Sequence, residues 1–122
     1  MVTMTLVPCS DVAVIALAGT LDHVDDAVAM ADAIDFVGDE HHLVVDLAAV
    51  ERIAEPCLSI VAAALAERPL WTETVVVSLD PQVRMQLVLA DIDRRSPVVL
   101  TVRQAIDFVE ARTRAATSAL GV

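Results

Sequence analysis

"VERIAEPCLSIVAAAL", residues 50–65, joins two patterns that belong to different kinds of backbone. Ile53 and Ala54 look like the end of a strand. Leu58, Val61, Ala62 and Leu65 recur at helical spacing. Between them stand Glu55, Pro56 and Cys57. Proline fits the first turn of a helix, where its missing N–H has no partner to lose. A glutamate beside it faces the positive end of the helix dipole. The stretch therefore reads as a strand handing over to a helix with a fixed negative charge at the junction. Repeated junctions of this kind build a parallel α/β sheet.

The flanking sequence repeats the pattern. Upstream, Leu43-Val44-Val45-Asp46-Leu47 is a continuous apolar strand with one acid near its end. Downstream, Thr74–Leu79 is apolar on both faces, as a central strand covered by helices must be. The second helix runs from about Pro56 to Glu67, and Pro69 stops it. Asp80-Pro81 is a cap followed by proline, opening a helix to about Leu89. Pro97–Leu100 is a short strand. Thr101 caps a last helix with the stripe Val102, Ala105, Ile106 and Val109. At the other end, Thr3–Val7 and Val12–Ala18 flank the turn-like Pro8-Cys9-Ser10-Asp11 and form a hairpin. Gly19 breaks that run. Val24, Ala27, Val28, Ala31 and Ile34 then give a helical stripe over Val24–Phe36, with Asp22 as its cap. Gly38-Asp39-Glu40 ends it. The order β-β-α-β-α-β-α-β-α predicts a mixed, mainly parallel sheet of about five strands with four helices and right-handed crossovers.

Composition sets the outer limits. The 122 residues are 57% hydrophobic and 21% charged, which predicts one domain, 1–122, with a filled core. No apolar run approaches the ~18 residues of a membrane span. MVTMTLVPCSDV has no basic n-region or small-residue cleavage site, so a cytoplasmic protein is expected. The net charge is −10 and all eight basic residues are arginine. Such a chain repels nucleic acid and anionic membranes and favours a partner with a basic patch. Aromatics reach 2%, too few for base-stacking platforms.

Cys9 and Cys57 read as free thiols in a reducing compartment, one in the hairpin and one in the second helix, too far apart to bridge. His41 and His42 are adjacent and His23 stands apart, so no metal site is expected. Gly19, Gly38 and Gly121 are the only glycines, and no glycine-rich phosphate loop or cofactor is expected.

Four motifs in this order resemble the STAS domain of anti-sigma factor antagonists. They are Gly19-Thr20-Leu21-Asp22-His23 before the first amphipathic helix, and Asp46-Leu47 followed by Leu58. Asp80-Pro81-Gln82-Val83 through Leu87 with Leu89 to Asp93 comes next, then Ala105-Ile106 in the closing helix. The resemblance covers about Val12 to Phe108. It implies a STAS-like α/β fold and a protein–protein interaction module acting in sigma-factor regulation by partner switching. The implied partner is a kinase-like anti-sigma factor or another STAS regulator.

The chain departs from the family at its central motif. Where the family has Asp-Ser-Ser-Gly, this sequence has Ala54-Glu55-Pro56-Cys57, and Glu55 stands at the phosphorylated serine. Glu55 has no hydroxyl to phosphorylate. A phosphoserine there adds roughly −1.5 to −2 charges; glutamate supplies about −1 and partly imitates it. Glu-Pro before a helix is also ordinary capping chemistry, and Asp22 and Asp46 also read as cap and strand-end residues. The surface that the resemblance marks for a partner comprises Thr20, Asp22, His23, Glu55, Pro56, Cys57 and Ser59.

Three other readings compete. A response-regulator receiver needs a lysine, and the chain has none. An enzyme would use Cys57 at a helix start, where thiolate is favoured, with His23 brought near by the fold; no oxyanion site or substrate pocket is readable around them. A STAS-type sensor of a small molecule or nucleotide is the alternative function.

Overall fold

The computed structural model describes residues 2–8 and 10–119. Cys9 lies outside the described residues. β1 (Val2–Leu6) and β2 (Val12–Leu17) form the expected antiparallel hairpin. β2 then pairs in parallel with β4 (His42–Asp46), β4 with β6 (Thr74–Val77), and β6 with the two-residue β7 (Val98–Val99). The five-stranded order is β1-β2-β4-β6-β7, mixed and mainly parallel. The four helices are α1 (Val24–Val37), α2 (Glu55–Ala66), α3 (Pro81–Leu89) and α4 (Val102–Ala119).

Side-chain alternation along the strands divides the core in two. Leu43 and Val45 of β4, with Ile15 of β2 and Val76 of β6, pack beneath α1, α2 and α3. Val44, Val75 and Val77 point the other way, onto Ala105 and Val109 of α4. This is why the central strands read as apolar without alternation: both faces are covered. No helix among the described residues is long and apolar enough to cross a membrane.

The structure adds two short strands to the expected order. β3 (Gly19–Leu21) and β5 (Val50–Ile53) form a separate two-stranded parallel sheet. Segments of three and four residues carry too little periodicity to declare themselves, and β5 exposes its central Glu51 and Arg52. Gly19 sits at φ 98°, a conformation that favours glycine, and turns the chain out of β2 into β3.

Two helix details also differ. The buried stripe of α1 is Ala27, Met30, Ile34 and Val37, leaving Val24 and Val28 exposed. In a helix so rich in alanine and valine, two overlapping stripes satisfy the same spacing. The cap of α1 is His23, which makes no side-chain capping bond, so Asp22 does not cap it. Asp80 does cap α3, its Oδ1 accepting from the N–H groups of Gln82 (2.8 Å) and Val83 (3.3 Å). Thr101 Oγ1 accepts from the Gln104 N–H at 3.1 Å at the start of α4.

Candidate partner-docking site

The small β3–β5 sheet assembles the candidate surface. Leu21 pairs with Ile53, and the Ala54 N–H donates to the Leu21 carbonyl at 2.7 Å. The chain after Leu21 and the chain after Ile53 therefore leave the sheet side by side. The first carries Asp22 and His23, with Thr20 one residue before Leu21; the second carries Glu55, Pro56 and Ser59. All six are exposed. Asp22 links the two segments weakly, with Oδ1 at 3.6 Å from His23 Nε2 and Oδ2 at 4.0 Å from Arg52 Nη2.

Glu55 is the first residue of α2, and Ala54 is the cap. Among the described residues no side chain bonds the free N–H groups of that first turn, so Glu55 is not a hydrogen-bonding cap. What it brings is charge: a carboxylate in the first turn, favoured by the helix dipole and open to solvent. Pro56 follows within the same turn, where a missing N–H is harmless. Ser59 donates Oγ–H to the Glu55 carbonyl at 3.3 Å. Asp46, at the end of β4, accepts the Ala48 N–H at 3.0 Å and acts as a strand-end turn residue.

Cys57 departs from the expected surface. It is 0% exposed and faces the core beneath α2, where a partner cannot touch it. The reason is helical spacing: Cys57, Val61, Ala64 and Leu65 share the inward stripe. Burial pushes the Cys57 thiol pKa up, and the Asp22 and Asp26 carboxylates push it further the same way. The thiolate expected of a helix start is thus disfavoured. No hydrogen bond joins Cys57 to His23 among the described residues.

Beside Glu55 lies an open cleft of about 620 Å³ between α2 and α3, lined by Glu55, Leu58, Ser59, Ala62, Gln86, Leu89 and Ala90. On α3, Met85, Val88 and Leu89 are exposed, Leu89 by 76%. Sequence reasoning missed this wall, because Leu89 passes for a core residue in any apolar stripe.

A solved structure matches the fold over most of the chain. The anti-sigma factor antagonist from Mycobacterium paratuberculosis is 30% identical, with a TM-score of 0.76, over 90% of this chain and 95% of that one. The chain belongs to the anti-sigma factor antagonist family. SpoIIAA, an antagonist solved in its unphosphorylated form, shares the fold at 19% identity and TM-score 0.67, over 91% of this chain and 97% of its own. TM1081 of Thermotoga maritima does so at 18% and 0.72, over 89% and 94%. No protein-family model and no curated protein matches the sequence.

One further residue lies beside these segments. Gln86 of α3 reaches across to β5, its Nε2 donating to the Ile53 carbonyl at 2.6 Å. The signal in the sequence was a polar residue between Val83 and Leu87, both of which are buried on α3.

Proposed function

We propose that this antagonist-family protein is a protein-docking module carrying a fixed negative charge where its relatives carry a switchable one. The partner is a kinase-like anti-sigma factor or another STAS regulator. The docking face comprises Thr20, Asp22, His23, Glu55, Pro56 and Ser59, extended by the apolar α2–α3 cleft. The observation that carries this reading is the Glu55 carboxylate, exposed at the first turn of α2 and standing at the rim of that cleft. A phosphate at this place would add charge at the centre of the contact; Glu55 supplies part of that charge permanently.

The test is binding to the kinase-like anti-sigma factors of the source organism. Glu55→Ser removes the charge and restores a hydroxyl. Binding is expected to strengthen by roughly ten-fold, the value of ~1.4 kcal/mol of relieved repulsion. Glu55→Ser/Pro56→Ser controls for the reshaped turn. If neither variant binds any candidate better than wild type while both melt normally, the charge has no regulatory role. Incubation of the wild type with kinase and ATP is expected to leave residues 55–59 unmodified. Stoichiometric phosphate on Ser59, found by mass spectrometry, would contradict this.

A further inference from the structure

Three of the chain's arginines converge beyond the far end of α2 from Glu55. Arg68, Arg95 and Arg112 line a cavity of about 210 Å³ with Thr72, Glu73 and Ser96. Arg68 follows α2, Arg95 follows the short 3-10 turn Ile92–Arg94, and Arg112 projects from α4. This gathering is unexpected in a chain of net charge −10.

The three guanidinium groups are not equally accounted for by local structure. Arg95 donates to the carbonyls of Ala66 and Arg68, which satisfies the open end of α2. Arg68 is only 6% exposed, and its acceptors are the carbonyls of Gly38 and His41 and the hydroxyl of Thr74. None is a carboxylate, and no carboxylate lies within ion-pair distance of Arg68 among the described residues. A buried cation without a counter-ion is costly. Burial accordingly lowers the Arg68 pKa, with Asp39 opposing the effect from a distance. Arg112 meets Glu73 Oε1 through Nε at 3.5 Å, and its guanidinium stacks 5.7 Å from the Phe108 ring centre.

Among the described residues, Glu73 is the one carboxylate lining the cavity, against three guanidinium groups. Each guanidinium has five N–H donors in a planar fork suited to oxyanions. Arg95 and Arg112 have most of theirs unspent. The cavity is open to solvent beside Arg112, and hydroxyl side chains complete its wall. A pocket with this excess of positive charge focuses field lines onto an incoming anion.

We propose that this cavity binds a small multivalent oxyanion of the phosphate class. Arg112 and Arg95 would contact it directly, over the uncompensated charge of Arg68. The site is separate from the docking face, since α2 has 12 residues and spans roughly 18 Å between the two. It stands or falls independently of the partner reading.

The experiment is calorimetric titration of the full chain with inorganic phosphate, with sodium chloride at matched ionic strength as the reference. Saturable binding to phosphate and none to chloride is expected. Arg112→Gln, an exposed substitution, should weaken binding by roughly ten-fold through loss of a charge-assisted contact. Glu73→Gln should strengthen it by removing the competing carboxylate. A merely structural Arg112–Glu73 pair predicts that both substitutions act in the same direction. Equal responses to phosphate and chloride, or phosphate binding that both substitutions leave unchanged or shift alike, would overturn the assignment.

Discussion

Gln86 holds the peptide groups of Ile53 from both sides: its Nε2 donates to the Ile53 carbonyl at 2.6 Å, and its Oε1 accepts the Ile53 N–H at 3.4 Å. A side-chain amide thereby takes the place of a neighbouring strand on the free edge of β5. Glu55 begins α2 two residues later, so the clamp sits immediately before the charged turn.

Gln86→Leu removes both bonds and leaves the Ile53 peptide without partners. A loss of about 1–3 kcal/mol is expected, the cost of orphaned backbone groups. Gln86→Glu keeps an acceptor for the N–H but sets a carboxylate against the Ile53 carbonyl. It should be destabilised as well, and more at neutral pH than at acid pH, where the carboxyl regains a donor. Urea midpoints for the three proteins at two pH values check this.

Glu55 makes no capping hydrogen bond, so its contribution to stability is a charge–dipole term alone. Glu55→Gln should cost about 0.3–1 kcal/mol at low ionic strength, and the difference should shrink in high salt. A salt-independent loss, read from paired urea melts, would instead indicate a specific bond to the turn.

Arg68 ties the end of α2 to the 38–41 turn and to β6 through three acceptors. Arg68→Met leaves those acceptors unpaired in a buried place. About 2–5 kcal/mol of stability should disappear. Arg68→Lys should rescue little, since one ammonium cannot reproduce the planar fork. Thermal denaturation of both variants measures the difference.

The raised Cys57 pKa makes a claim about pH. A thiol kept neutral by the fold favours the native state fully below its ordinary pKa of about 8.5. That preference is lost as pH climbs towards the raised native value, because the unfolded chain sheds the proton first. Stability should therefore fall with alkalinity above about pH 8.5, and Cys57→Ala should flatten that slope. In a Cys9→Ser background, Cys57 should react with a thiol reagent roughly a hundred-fold more slowly in buffer than in denaturant. Comparable rates would place the thiol at the surface.

Much of this fold was legible because its central strands are so uniformly apolar. Leu43–Val45 and Val75–Val77 allow only a sheet covered on both faces, and Asp80-Pro81 announces α3 without ambiguity. The small β3–β5 sheet was not legible, since β5 shows solvent its charged centre and β3 is held by a register rather than a pattern. The position of Glu55 at the junction could be read from sequence. That no side chain caps its turn could not, because a residue distant in sequence can reach a helix start, as Gln86 reaches Ile53. The inward turn of Cys57 depends on where α2 begins; a start shifted by one residue rotates every side chain by about 100°. Arg68 reads as a surface charge in any sequence window. Its burial follows from the distant 38–41 turn closing over it.

The proposed docking residues Asp22, His23, Glu55 and Pro56 hang from the β3–β5 ribbon rather than from the five-stranded sheet. The ribbon shares the core through Leu21, Val50 and Ile53 but has few ladder bonds of its own. Its opening can therefore proceed while the main sheet stays closed, as a separate cooperative unit with a lower opening free energy. Amide hydrogens of Ile53 and Ala54 should exchange well before those of Val44 and Val76. On the proposed function, a partner docking at Asp22 and Glu55 would then meet a segment that can adjust its shape while the main sheet stays intact.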